Sequence, residues 1–251
     1  MLYTTQMDAA KKGIVTKEML YISEQEGINT DELLNLIANG HVAVPCNKNH
    51  TSLSPKGIGN RLKTKINVNL GASKDCMDIN VELEKVNGAQ QMGADAIMDL
   101  STFGDTRGFR KQLVSQCSAM LGTVPIYDAL VYYNKALKDI TPQEWLDVAK
   151  MHCEDGIDFI TVHAGLNRDI LDDLKKHRSR ITNIVSRGGS LMFAWMEMTG
   201  HENPFYEHFD ELLDICAEYY VTLLTGDLCR PGRTADGPDV WEVKDTVTIG
   251  Q

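Results

Sequence analysis

Ser186-Arg187-Gly188-Gly189-Ser190 is the stretch of this sequence best suited to hold an anion. Small residues let backbone N–H groups approach a negative ligand, and an arginine grips a phosphate through two parallel donors. A second arginine stands at a proline-glycine corner, Arg230-Pro231-Gly232, just after Gly226-Asp227. Either stretch alone reads equally as a glycine turn with a solvated arginine; the pair points to a phosphorylated small molecule. His163, in His163-Ala164-Gly165, puts a titratable ring at the end of an apolar run. Asn67 and Asn69, Met98-Asp99 and Tyr127-Asp128 close three further apolar runs. For the Asn and Asp residues a turn or cap role competes, and for Met98 core packing.

These residues share one kind of position, the end of a β-like run. Strands are predicted at 66–70, 96–100, 123–127, 159–163, 183–186 and 221–225. Helical spacing lies between them at 81–92, 109–117, 142–153, 169–177 and 204–219. Repeated βα units imply a parallel sheet, and strand ends facing one pocket are the geometry of a barrel mouth. The predicted fold is α/β: about six βα units of a (β/α)8 TIM-type barrel, incomplete, preceded by short helices at 17–26 and 31–39. Residues 1–60 form the N-terminal helical segment and loop, with a short β-like run at 41–45; residues 61–251 form the substrate-binding partial barrel. Thr141-Pro142-Gln143-Glu144 is a capping box with proline at the first helical position, and Asn203-Pro204 opens another helix. In the latter, Phe205, Phe209, Leu212, Leu213 and Cys216 form one apolar stripe and are assigned to the core.

Composition narrows the partners. With 25 Lys+Arg against 35 Asp+Glu in 251 residues, the net charge is −10, which disfavours nucleic acid and acidic membrane surfaces. A 43% hydrophobic content suits a globular core. The six cysteines, Cys46, Cys76, Cys117, Cys153, Cys216 and Cys229, show no C-x-x-C spacing, in keeping with a reducing compartment. The first residues lack a signal-peptide apolar region, and no run reaches membrane-spanning length, so the expectation is a soluble cytoplasmic protein.

The strings QMDAAKKGIVTKEM, KINVNLG, ADAIMDLST, GTVPIYDAL, GIDFITVHAG, NIVSRGGS and GDLCRPG occur in this order. Together they resemble the phosphomethylpyrimidine synthase (ThiC) family from about Thr5 to Pro231. The resemblance implies a radical S-adenosylmethionine lyase that converts 5-aminoimidazole ribotide to hydroxymethylpyrimidine phosphate. It further implies substrate contacts at Asn69, Met98, Tyr127, His163, Ser186, Arg187 and Gly188. The family's Asp-Gly-Leu-Arg string falls on Asp227, Leu228, Cys229 and Arg230, with only its outer residues kept. Asn69, His163 and Asp227 would hydrogen-bond the base or ribose, and Arg187 and Arg230 the phosphate. No residue is assigned as catalytic.

The family also uses a cysteine trio for a [4Fe–4S] cluster and two metal-binding histidines, one in a Glu-Gly-Pro-Gly-His string. Neither string occurs in these residues. The resemblance thus implies the cluster, S-adenosylmethionine and zinc for the full-length homodimeric enzyme. Residues 1–251 are expected to be inactive alone and, with open sheet edges, prone to associate. Two alternatives remain at this point: a 5-hydroxybenzimidazole synthase acting on the same ribotide, and a non-catalytic ribotide-binding protein.

Overall fold

Three capped helices come first in the computed structural model, which describes residues 3–176 and 180–250. They are α1 (Gln6–Lys11), α2 (Lys17–Glu26) and α3 (Thr30–Ala38). The side chains of Thr5, Thr16 and Asn29 each accept a backbone N–H of the first turn, which fixes the three starts. Gly27 ends α2 in the left-handed conformation, at φ 68°. Ala9, Ala10, Met19, Ile22, Leu33 and Ile37 bury one face of each helix in a common cluster with Val42, Val44 and Cys46. The β-like run at 41–45 becomes β1 (Val42–Ala43), antiparallel to β2 (Ile58–Gly59).

The remaining elements alternate. They are β3 (Asn67–Leu70), α4 (Ile79–Gln91), β4 (Ala96–Asp99), α5 (Thr106–Gln116), β5 (Met120–Thr123), α6 (Pro125–Tyr133), α7 (Pro142–Glu154) and β6 (Phe159–Val162). After them come α8 (Arg168–Lys176), α9 (Arg187–Thr199), α10 (Pro204–Glu207), α11 (Phe209–Tyr219), β7 (Thr222–Thr225) and α12 (Val240–Ile249). Strands β3 to β7 form one sheet in sequence order. The register pairs Asn69 with Met98 and Gly122 with Phe159, in parallel ladders. Gly122 is obligatory there, because a Cβ would lie 2.1 Å from the Phe159 ring. β4 and β5 are buried along most of their length, whereas β3 and β7, last in the strand order, are largely exposed.

The chain divides into two compact units. The first comprises Met1–Thr123, Met151–Ile160 and Asp214–Thr222; the second comprises Val124–Lys150, Thr161–Leu213 and Leu223–Gln251. In the first, a polar pillar is buried: Asp158 accepts from the backbone N–H of Asn47 and Leu121 and from the His50 ring. In the second, Trp145 and Trp195 meet edge to face at 6.1 Å, and Trp195 Nε1 donates to the Ile140 carbonyl. No helix among the described residues is long and apolar enough to cross a membrane.

The sheet has five parallel strands, not six, and two predicted strands are corrected. Residues 183–186 form no strand and join no ladder among the described residues; the ladder beside β6 belongs to β7, where Thr222 N–H donates to Asp158 O and Gly226 N–H to Val162 O. The predicted strand at 123–127 is displaced toward the N-terminus. Its last residue is Thr123, Pro125 opens α6, and Tyr127 therefore lies in the first turn of a helix. The helix at 204–219 breaks at His208 into α10 and α11, with Phe205, Leu212 and Cys216 buried but Leu213 42% exposed. Of the predicted helix 169–177, the part to Lys176 is α8, and His177 lies outside the described residues. The capping box forms as expected: Thr141 N–H donates to Glu144 Oε2 and Glu144 N–H to Thr141 Oγ1.

Candidate functional site

In the second unit, β6 runs out at Val162 and delivers His163 to a buried slot. The slot exists because two backbones approach the imidazole without side chains. A Cβ on Gly188 would stand 2.3 Å from His163 Cε1, and one on Gly226 would stand 3.0 Å from Nε2. Gly188 therefore serves the ring as well as any ligand. Gly189 is likewise closed off, since its Cβ would meet Leu228 Cγ at 2.6 Å.

Ser186 joins this histidine to α9. It is the N-cap, and its Oγ accepts the Gly189 N–H at 3.2 Å, leaving the hydroxyl proton free for His163 Nε2 at 3.0 Å. Nε2 is then an acceptor, and the ring proton belongs on Nδ1, which has no partner among the described residues. A second buried atom without a partner among the described residues, Thr161 Oγ1, comes from two residues earlier on the same strand. Two unsatisfied polar atoms at one strand end are what a hydrogen-bonding ligand would complete.

Burial, followed by the charge of Arg230, pushes the His163 pKa down to about 4. The ring is therefore a neutral hydrogen-bonding group at physiological pH. An unfolded histidine takes its proton below about pH 6.5, so this residue makes stability fall as pH drops from there toward about 4. We expect the His163 ring signals in a nuclear magnetic resonance titration to stay in the neutral form down to pH 5. A midpoint near 6.5 would contradict the buried slot.

Arg187 occupies the first position of α9 and is exposed, its guanidinium carbon 5.0 Å from the centre of the Tyr127 ring. Stacking on an aromatic face holds the planar fork in place without a carboxylate to neutralise it. The helix start adds positive character, since its first amides point outward along the axis. Asp227 and Arg230 are exposed, whereas Leu228 and Cys229 between them are buried. The backbone of that loop is pinned from two sides. Asp245 Oδ2 accepts the N–H groups of Leu228 (2.8 Å) and Cys229 (3.0 Å), and Arg180 donates to the Cys229 carbonyl while paired with Asp239.

The second unit thus brings Tyr127 to Arg187, His163 to Ser186, Gly188 and Gly226, and Leu228 to Gly189. Asn69 and Met98 belong to the first unit, opposite each other in the β3–β4 register. Asn69 is exposed and accepts from Asn67 Nδ2 at 2.8 Å. Met98 packs on Ala96, Met120 and Phe159, so core packing accounts for part of its side chain. Asp99 is a local turn acceptor for Ser101. The sequence reading missed Thr161, which looks like any β-branched strand residue. It also missed Asp245, although Asp239 and Glu242 ahead of it carry the signature of a helix start.

The sequence profile described as "Radical SAM ThiC family" matches residues 5–251. The phosphomethylpyrimidine synthase of Clostridium perfringens (strain SM101 / Type A) is 58% identical over 251 residues, which is 100% of this chain and 57% of that protein. Those of Alkaliphilus oremlandii (strain OhILAs) and Clostridium kluyveri (strain NBRC 12016) are 57% and 56% identical over the same 251 residues, again 57% of each relative. The chain therefore spans a little over half the length of these curated relatives.

Proposed function

The chain belongs to the radical SAM ThiC family, and on that premise we propose that its five βα units are part of a (β/α)8 TIM-type barrel that binds 5-aminoimidazole ribotide. In the full-length protein this ribotide becomes hydroxymethylpyrimidine phosphate for thiamine biosynthesis, in a cytoplasmic homodimer. The observation that carries the reading is a 58% identity to a phosphomethylpyrimidine synthase that runs over every residue of the chain.

The roles follow from chemistry. Arg187, stacked on Tyr127 at the start of α9, takes phosphate oxygens through its fork, and Arg230 adds a second charge. Neutral His163 presents Nδ1–H to an acceptor on the ribotide, with Ser186 fixing the tautomer. Asp227 accepts from the ribose or the amino group of the base; Asn69 and Met98, in the first unit, remain contacts that the family resemblance alone implies. Leu228 and Cys229, both buried, shape the loop that carries Asp227 and Arg230.

S-adenosylmethionine cleaved by an electron from a [4Fe–4S] cluster supplies the radical in this family. The residues described here do not fit the cluster. No three His, Cys, Asp or Glu side chains among them converge on a metal position. Burial pushes the Cys46 thiol up to about 12, contact with Cys216 and burial raise Cys153, and burial raises Cys229. Thiols held protonated in this way are poor metal ligands. No catalytic step is therefore assigned to residues 1–251; the cluster, S-adenosylmethionine and zinc belong to the full-length protein in this reading.

Calorimetric titration of 5-aminoimidazole ribotide into the protein is expected to give saturable 1:1 binding, with ribose 5-phosphate binding more weakly because it leaves His163 unpaired. Absence of heat from the ribotide would sink the reading. Leu228 and Cys229, standing where the family has Gly-Leu, favour a second reading in which the same ribotide yields 5-hydroxybenzimidazole; the product separates the two.

A further inference from the structure

Asp245 is nearly the last residue one would expect to find buried. It lies on α12, is 1% exposed, and has no basic partner among the described residues. Instead its Oδ2 takes the backbone N–H groups of Leu228 and Cys229. Its Oδ1 meets no donor and packs on the backbone after His163: a Cβ on Gly165 would lie 1.9 Å from it. The Asp227 carboxyl is within hydrogen-bonding reach of the same group. One carboxyl therefore touches both the loop that follows β6 and the loop that follows β7.

We propose that Asp245 is a positioning residue: its one carboxyl clamps the His163–Gly165 loop to the Asp227–Arg230 loop. This rests on the ribotide-binding reading for its consequence, but not for its geometry. The nearby Asp227 carboxyl raises the cost of a charge on Asp245, so Asp245 keeps a proton to a higher pH than an ordinary aspartate. Oδ2 is occupied by two N–H donors, which leaves Oδ1, without a donor among the described residues, as the oxygen that carries a proton when the carboxyl holds one. Burial, against the two backbone donors and helped by Asp227, pushes the Asp245 pKa up to about 6.

Other charged groups lie on the elements around Asp245. The β7 loop adds Cys229 and Arg230, and the β6 loop adds only His163, which is neutral. α8 adds Asp173, held by Lys244 of α12, and Glu242 lies one turn back on α12 itself. None of these supplies Asp245 Oδ1 with a donor.

An isostere separates the roles. Asp245→Asn keeps an acceptor for Leu228 and Cys229 and, like the protonated acid, carries no charge. Asp245→Leu keeps the approximate volume and loses the acceptor. In the full-length protein, hydrogen exchange at the amides of 228 and 229 should be slow in the wild type and in Asp245→Asn, and at least about tenfold faster in Asp245→Leu, the scale of losing hydrogen bonds worth somewhat over 1 kcal/mol. The infrared band of a protonated carboxylic acid should titrate out near pH 6 in the wild type and be missing from Asp245→Asn. Ribotide affinity should fall roughly tenfold in Asp245→Leu by the same measure, and its change between pH 5.5 and 7.5, to which the ribotide's phosphate also contributes, should be smaller in Asp245→Asn than in the wild type. Equal amide exchange in all three proteins, or an acid band that survives in Asp245→Asn, overturns the proposal. A wild type that ignores ribotide yet shows both the protected amides and the acid band would overturn the ligand reading and leave the clamp standing.

Discussion

Asp158→Ala is expected to lower the unfolding free energy by about 3–5 kcal/mol, the range for breaking a buried charged pair by removing one partner. Its carboxylate is fully buried and receives three N–H groups, from Asn47 (2.9 Å), Leu121 (2.8 Å) and His50 Nδ1 (2.7 Å). The opposite nitrogen of His50 donates to the Cys117 carbonyl at 2.9 Å, so a proton on Nδ1 makes the ring cationic. Burial alone would lower the His50 pKa, but the hydrogen bond and charge of Asp158 outweigh it and raise it. Burial raises the Asp158 carboxyl too, yet three converging donors match its ionised form.

The pillar matters because of what it joins. Asn47 Nδ2 reaches the carbonyls of Cys153 and Ile157, and the Asp158 backbone links Leu121 of β5 to Thr222 of β7. Alanine at 158 would strand an imidazolium and two amides away from water. Urea denaturation of the two proteins measures the difference; a loss below about 1 kcal/mol, the size of an ordinary neutral hydrogen bond, would show that the pillar is not the anchor its geometry suggests.

Arg187→Ala should weaken 5-aminoimidazole ribotide by about 1.5–3 kcal/mol, the worth of hydrogen bonds to a charged group and roughly 10- to 150-fold in Kd. The fold should not notice, because the side chain is exposed and its one described contact is the Tyr127 face. Lysine should recover only part of the loss, since a point charge neither stacks on Tyr127 nor grips two oxygens in parallel. Calorimetry on the three proteins, with melting temperature as a control, decides it. Unchanged ribotide affinity in the alanine variant would remove Arg187 from the site.

Much of the architecture could be read from local chemistry. The capping box at Thr141 and the Asn203-Pro204 start describe their helices because a few neighbouring atoms decide them. Apolar runs at 96–100 and 159–163 form strands of a parallel sheet for the same reason that they are apolar: most of their residues are buried, whichever face they point to. Residues 183–186 have a similar run but no ladder to join, a tertiary fact that four residues cannot announce. Pro125 did carry a signal, a helix start, that the β-branched run before it obscured.

The site divides similarly. Ser186, Arg187 and Gly188 stood out because glycine and arginine are conspicuous, although Gly188 turns out to be needed by the His163 ring as well. Thr161 and Asp245 did not. One resembles ordinary strand sequence, and the other is a polar residue whose burial depends on a loop 16 residues away in the chain. Hydrogen bonds between distant segments leave no period in a sequence.

We propose that the family's chemistry runs on a ribotide held beside His163 and Arg187. Product analysis tests it most directly: the full-length protein, with its cluster reconstituted, is supplied with 5-aminoimidazole ribotide, S-adenosylmethionine and a reductant. Hydroxymethylpyrimidine phosphate in the wild type, and at least about tenfold less in Arg187→Ala at subsaturating ribotide, is the result predicted here. Consumption of S-adenosylmethionine without any pyrimidine, or equal pyrimidine from the Arg187→Ala enzyme, would contradict it.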